Sequence, residues 1–524
     1  MKKLTKKLVN VSMVFTLAIT LLAGCSSAKK SEPTASASAS ATEKATNAPK
    51  TGLDLSKKVE LQFYMLGDAP KDLAAVEAKI NEMSLKDLNA TVKFNFTGWT
   101  DWEQKYRLLL STGQAVDLIF TAEWTQYQTL AKKGSFLPLD ELLPIAAPKL
   151  YSFVPKEMWN GVKIDGKIFT MPATYKEYVT TGFVYREDLR KKYNLPEPTS
   201  LKTFEAYLEG IKKNVPELTP LGVNSEVKFT ISDQITNITY DPVGDKVPYG
   251  MGIKYKTPGE VTSYWGSADH LADLKLFKSW ADKGFWTKNV LNLKDNDLLV
   301  SGKAAALIGD NPTRYNDQKI KIKAAHPDWE LAYYPAPLIK GHAEPNHPMH
   351  NGFAIPKNSK NAERALAFYE KMVTDKTYNQ LTQYGFEGKN YKVENGYYKM
   401  IGDSTSNGFT REAMNGWAWR NPEFMLFDSG HDGVKDIFKK LDAIQAPDIF
   451  TGFAEDYTSY QAKRAALEQV EKQYLYPLIA GLIPDVEAGL KLFMEKAKIA
   501  GLDEIQAEYK KQWLQYLTES GIKK

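Results

Sequence analysis

The chain has 524 residues and carries 68 basic against 63 acidic side chains. Four of the lysines (Lys2, Lys3, Lys6 and Lys7) sit at the extreme N-terminus. Without them the balance is near neutral, which gives no basic surplus for nucleic acid. A single cysteine excludes any disulfide within the chain.

The four lysines form a basic n-region, and Leu8 to Leu22 is an apolar run interrupted only by Asn10, Ser12, Thr16 and Thr20. It is too short and too polar for a comfortable membrane span and reads as a secretory h-region. The run ends in Leu22-Ala23-Gly24-Cys25, which resembles the lipobox of bacterial lipoproteins. That resemblance implies cleavage before Cys25, a diacylglyceryl group on its sulfur and an acylated amino group. Several acyl chains hold a protein stably where one holds it weakly. The alternative is an ordinary signal peptide with an incidental cysteine. Residues 1–24 are therefore expected to be a signal peptide, and 25–52 a lipidated cysteine with a disordered tether. From Ser26 to Lys50 no large apolar residue occurs, so the segment cannot offset its ordering entropy. No later stretch approaches membrane-span length, and the remainder is expected to be soluble.

Val59, Leu61, Phe63 and Met65 alternate, with Tyr64 and Leu66 also apolar, which predicts a strand buried on both faces. Gly67-Asp68-Ala69-Pro70 ends it and opens a helix carrying Leu73, Val76, Ile80 and Met83. Val92, Phe94 and Phe96 mark a second strand, and Thr100 to Glu103 a capping box before a helix to Leu110. Val116 to Phe120 is a third strand, followed by a helix that Gly134 stops. Alternating strands and helices predict a sheet covered on both faces, with ligands beyond the carboxyl ends of its strands. Farther on, strands are expected near Lys167 to Tyr175, Val179 to Tyr185, Ala304 to Ile308 and Phe353 to Pro356. Helices are expected at Glu187 to Lys192, Leu201 to Lys213, Leu271 to Lys283 and Ala362 to Val373. From Ala462 to Leu517 the pattern is mostly helical.

Four stretches carry a family likeness: Trp124 to Leu143; Lys167 to Pro172 through Phe183 to Arg186; Ser301 to Ala306; and Asn358 to Val373. In this order they resemble bacterial extracellular solute-binding proteins of the maltose-binding-protein type (family 1). Tyr384-Gly385-Phe386-Glu387-Gly388-Lys389-Asn390-Tyr391 and the tail Gly501 to Trp513 are similar to LipO-type lipoproteins of Gram-positive bacteria. The resemblance implies an α/β protein with the two-lobe periplasmic-binding-protein type II fold, a hinge and an enlarged helical C-terminal region. It places lobe 1 at 53–172 plus 301–377, and lobe 2 at 173–300 plus 378–524. It implies a monomer on the outer face of the membrane that captures an oligosaccharide or other small polar solute. Its partners would be ABC permease subunits and an ATPase, and it would use no cofactor. Relatives that bind maltodextrins often place a tryptophan where this chain has Arg314 and Tyr315, which leaves room for an acidic sugar.

Sugar binding needs flat aromatic faces with amides, carboxylates and guanidinium groups around them. Trp99, Glu123 and Trp124 lie at predicted strand ends, although the indoles could instead start helices and pack inward. Tyr64 is a candidate or a core tyrosine. Tyr175 follows the first crossover. Asp310, Asn311 and Arg314 are either ligand groups or a capped helix start. Trp417 and Trp419 would share one face if extended, beside Arg420, or would form a clasp for the C-terminal region. His342, His347 and His350 cluster with Glu344 in a Pro-rich stretch, but their spacing fits no metal motif, and a solvated connecting loop is expected. No catalytic or nucleotide-binding motif is present, so no enzyme is expected. Two well-placed carboxylates of an exported carbohydrate-active enzyme, or a lipoprotein feeding a sensor kinase, are the alternatives.

Overall fold

A computed structural model describes residues 53–523, apart from 101, 179, 224–230, 242, 244–246, 294–297, 310 and 404. The expectations for the signal peptide, the tether, Cys25 and Asp310 fall outside the described residues. Among those described, no helix is long and apolar enough to cross a membrane.

Two sheets organise the chain. The first has the order Ala90–Thr97, Val59–Leu66, Leu118–Thr121, Gly352–Ala354, Thr170–Pro172. Its first three strands are parallel, and Gly352–Ala354 runs antiparallel to both neighbours. The second has the order Leu331–Pro335, Gly182–Arg186, Ala304–Ile308, Thr219–Leu221, with only the last pair parallel. The chain passes from the first sheet to the second between Pro172 and Gly182 and returns between Pro335 and Gly352.

Each sheet has its own core. Leu61, Phe63, Val76, Ile80, Phe120 and Phe368 pack in the first, and Phe183, Phe204, Phe277, Trp280 and Phe493 in the second. Such aromatics bury the most apolar area per side chain and dominate core energetics. The strand Val59–Leu66 is not buried on both faces as expected. Leu61, Phe63 and Met65 are sealed, while Gln62 and Tyr64 on the other face are half-buried. The helix after it begins at Leu73, where the turn that Pro70 opens closes.

Two lobe assignments need correction. Ala304–Ile308, expected to return to lobe 1, pairs with Gly182–Arg186 and Thr219–Leu221 in the second sheet. Its small side chains Ala305 and Ala306 fit under the second lobe's helices, and Ala306 stands opposite Tyr185. The segment 378–419, expected in lobe 2, closes the first core with Tyr378, Leu381, Phe409, Met414 and Trp419. Trp419 there meets Phe353 and Phe63 at 5.7 and 6.3 Å between ring centroids. A third passage, after Arg420, takes the chain back to the helix His431–Asp442, where Ile437 and Leu441 join Tyr315 and Leu331. The helices Val486–Ile499 and Leu502–Glu519 then finish the second lobe.

Candidate functional site

The carboxyl ends of the first sheet converge on a group of indoles. Trp99 follows Ala90–Thr97, and Trp124 lies in a single 3-10 turn, Glu123–Thr125, just after Leu118–Thr121. Their ring centroids are 6.3 Å apart and the rings nearly parallel, at 26°. Trp417 arrives from the C-terminal region and tilts against Trp99 at 6.1 Å. Trp102 meets Trp124 edge-on at 6.3 Å. The third indole is placed by Asn415, whose side-chain amide donates to Leu66 O at 2.7 Å. That approach requires Gly67: its φ is +109°, and a Cβ there would fall 2.1 Å from Asn415 Nδ2. Trp99 keeps 47% of its surface exposed, although burying an indole is strongly favourable.

Trp417 also lines a cavity of about 270 Å³ among the passages between the two sheets. The first passage contributes Tyr175, Lys176 and Glu177. The second contributes Asn346, His347, His350 and Asn351. Arg420 and Gln445 complete the polar wall. The wall is held by bonds that cross from one segment to another. Arg420 donates through Nε and Nη2 to Glu412 (2.5 and 2.8 Å) and through Nη1 to Glu177 (2.7 Å). Thr313 Oγ1, from the second lobe, donates to the other oxygen of Glu177 at 2.6 Å. Such a planar fork on two carboxylates is the geometry arginine provides and lysine does not. Burial opposes ionisation of Glu412, but Arg420 outweighs it and holds the carboxyl below the usual range. The Arg420 guanidinium lies 5.5 Å from the Tyr175 ring, whose hydroxyl is pushed up to about 12, chiefly by burial. Lys176 donates to Asp442 (2.6 Å) and Gln445 (2.7 Å). Burial lowers the pKa of His347, which leaves it a neutral donor and acceptor.

Glu123 ties the indoles to this wall. One carboxylate oxygen is 2.6 Å from His350 Nδ1, and Trp124 Nε1 donates to His350 O at 2.9 Å. The other oxygen of Glu123 is buried with no hydrogen-bond partner among the described residues.

The structure therefore gathers Trp99, Glu123, Trp124, Tyr175, Trp417 and Arg420 in one region. It does not bring in the rest. Trp419 is fully buried, and its indole N–H donates to Thr382 Oγ1 at 3.0 Å. The Trp417 and Trp419 rings diverge because Gly416–Trp419 is a 3-10 turn and not the extended segment expected. Asn311 spends its side-chain oxygen capping the helix Pro312–Ala325, accepting from Arg314 N at 2.9 Å. Arg314 is exposed on that helix, and neither residue lines the cavity. Tyr315 is a core residue stacked on Tyr333 at 5.3 Å. Tyr64 accepts from Gln114 at 3.0 Å and stands apart from the indoles.

Sequence reading missed Glu177 and Glu412, because only a tertiary fold reveals which carboxylates meet Arg420. His347 and His350, expected in a solvated loop, line the cavity instead. The neighbours Pro345, Pro348 and Asn351 were the available sign of a rigid and not a solvated segment.

Comparison with known proteins agrees with this architecture. The model of the family "Bacterial extracellular solute-binding protein" matches residues 70–378, and a domain of unknown function (DUF3502) matches 449–518. A "Carbohydrate ABC transporter substrate-binding protein" of Streptococcus pneumoniae is 23% identical over 479 residues, covering 88% of this chain and 92% of that one. Lipoprotein LipO of Bacillus subtilis is 21% identical, over 59% of this chain and 63% of its own. Among solved structures, the N-glycan transport solute binding protein NgtS of S. pneumoniae superposes with a TM-score of 0.67 at 19% identity. It covers 88% of this chain and all of that one. The alginate-binding protein AlgQ2 gives 0.60 at 16% identity, over 88% and 99% of the two chains. These likenesses give the two-lobe type II binding-protein fold, and these proteins are solute-binding proteins, not enzymes. The chain belongs to the bacterial extracellular solute-binding protein family.

Proposed function

We propose that this protein captures a neutral oligosaccharide between its lobes and delivers it to an ABC importer, anchored to the outer face of the membrane through lipidated Cys25. The observation that carries the reading is the indole cluster. Three tryptophans from separate parts of the chain meet at the strand ends, and one keeps nearly half its surface in solvent beside a polar cavity. Flat apolar faces next to converging amides, hydroxyls and imidazoles suit a pyranose, which has apolar faces and a polar rim. Two relatives support the carbohydrate class by what they bind: the S. pneumoniae carbohydrate transporter protein and NgtS, which was crystallised with Man1GlcNAc.

Neutrality follows from the ion pairing. Lys176, Glu177 and Arg420 on the cavity wall each already meet an opposite charge. A uronate entering the cavity would lose hydration and find no uncommitted lysine or arginine among the described residues of the wall.

The test is a thermal-shift screen of the chain from Thr51, the compact unit that contains every described element. The ligands would be neutral oligosaccharides, uronides and short peptides, with product analysis of each hit. A ligand that binds only the folded state raises the melting temperature by mass action. Neutral oligosaccharides are expected to raise it and to be recovered intact. A shift with uronides or peptides alone, or cleaved sugar, would overturn the reading. Anchoring is tested separately by metabolic labelling with a fatty acid. Label should enter the wild-type chain and be lost in Cys25→Ser.

A further inference from the structure

We propose that the segment 448–460 is a strap that fastens the second lobe to the first beside the indole cluster and keeps the two lobes together before solute arrives. Packing assigns the segment to the second lobe. Phe450 stacks on Trp513 with ring centroids 5.7 Å apart, and Phe453 meets Trp513 and Tyr509 edge-on at 5.3 and 5.2 Å. Both partners lie on the helix Leu502–Glu519. Gln512 of the same helix accepts from Asp456 N at 2.8 Å and donates to Asp456 O at 2.9 Å. Asp448 Oδ1 accepts from Phe450 N and Thr451 N at 2.7 and 3.0 Å, which fixes the turn that presents the Thr451 carbonyl.

Two bonds leave this anchored segment for the first lobe. Gln128 Nε2 donates to Thr451 O at 2.7 Å, and the Tyr457 hydroxyl donates to Gln126 Oε1 at 3.3 Å. Gln128 is 3% exposed, and a buried amide donor is costly to leave unpaired. The Arg464 guanidinium lies 4.2 Å from the centroid of the Tyr457 ring and holds that ring in place.

The grip falls on the part of the first lobe that aims the site. Gln126 closes the turn Glu123–Thr125, which carries Glu123 and Trp124, and does so at φ +65°, uncommon for a residue with a side chain. Gln128 Nε2 also lies 3.2 Å from Met349 Sδ, next to His350 of the cavity wall.

The other bonds that join the lobes, Arg420 with Glu177 and Arg411 with Asp317 and Asp428, come from the stretch leading into the third passage and can turn with the hinge. The strap and its two glutamines lie outside all three passages, so parting the lobes there must break their bonds. Lobes fastened in this way admit solute only when the strap lets go, and the strap then sets the rates of entry and release. The fastening is independent of which solute the cleft takes.

The chain from Thr51 lacks Cys25, the sole thiol, so two introduced cysteines report on the lobes alone. Lys86→Cys on the first lobe and Lys510→Cys on the second, both at exposed positions, would carry nitroxides for electron–electron double resonance without solute. One narrow distance distribution is expected. Adding the near-isosteric Gln128→Met together with Tyr457→Phe should bring in a longer distance and raise the open share about tenfold, since two hydrogen bonds are lost. Gln506→Met removes a comparable bond, to Tyr249 O at 2.8 Å, inside the second lobe and should leave the distribution as it was. Tyr457→Phe alone takes one oxygen from a half-buried ring, so the test stays readable if the double variant folds poorly, and the longer distance should appear there too. A dominant longer distance before either bond is removed, or a distribution that neither the folded double variant nor Tyr457→Phe changes, would overturn the proposal.

Discussion

Trp417 and Trp419 stand two residues apart on one 3-10 turn, and their surroundings differ completely. Trp419 is sealed among Phe63, Phe353 and Thr382, with its N–H bonded. Trp417 is half-buried, tilts against Trp99, and forms part of a cavity wall. An aromatic side chain belongs to a core when neighbours cover both its faces and a partner takes its polar atom. It belongs to a binding surface when rigid neighbours hold it with one side left to solvent. The two indoles show both conditions in four residues of chain.

That contrast can be broken by mutation. Trp419→Ala should cost about 3–5 kcal/mol of stability, the usual range for a buried indole, read as a lower denaturation midpoint. Trp417→Ala should cost less, because that indole is only partly buried at the edge of the first core. Arg420→Met tests the wall behind Trp417. It leaves Glu177 and Glu412 buried without their cation, and breaking such a pair costs about 3–5 kcal/mol. Urea denaturation should show the loss, and adding Glu177→Gln and Glu412→Gln should recover part of it.

Trp99→Ala should leave the melting temperature nearly unchanged, since the residue is 47% exposed. It should weaken solute binding about 10–100-fold, equivalent to roughly 1.4–2.8 kcal/mol. A stability loss as large as that of Trp419→Ala would move Trp99 from the binding surface to the core.

The smallest expected effect concerns the second lobe, where His270 is sealed near Phe493 and Tyr264. Burial holds its pKa down near about 3, against 6.5 for a free histidine. Between these values the unfolded chain binds the proton and the folded chain does not, so stability falls as pH falls. From pH 6.5 to 5.5 this group alone should remove about 1 kcal/mol. His270→Asn should flatten that part of the profile.

The strands and helices were legible in the sequence because their signals are local. Glu187–Lys192 and Ala304–Ile308 fall where periodicity and turn residues put them. Which sheet Ala304–Ile308 joins was not legible, because a five-residue apolar strand fits either lobe and only Gly182–Arg186 and Thr219–Leu221 decide it. The site was partly legible for the same reason. Trp99 and Trp124 follow strand ends, and strand ends are where such sheets hold ligands. Trp417 and Trp419 could not be told apart, since period-2 reasoning assumes an extended segment and Gly416–Trp419 is a helical turn. Nor could Arg420, Glu177 and Glu412 be joined, being 243 and 8 residues apart along the chain.

The most direct measurement is calorimetric titration of the strongest neutral oligosaccharide from the screen into the wild-type chain and the Trp99→Ala/Trp417→Ala double variant. Each variant's melting curve would be recorded alongside. If the indole cluster is the sugar surface, the wild type binds one ligand saturably and the double variant loses at least a hundredfold in affinity while its melting temperature stays close to that of wild type. Undiminished affinity in a folded double variant would mean that the solute binds elsewhere and that the cluster only supports the fold.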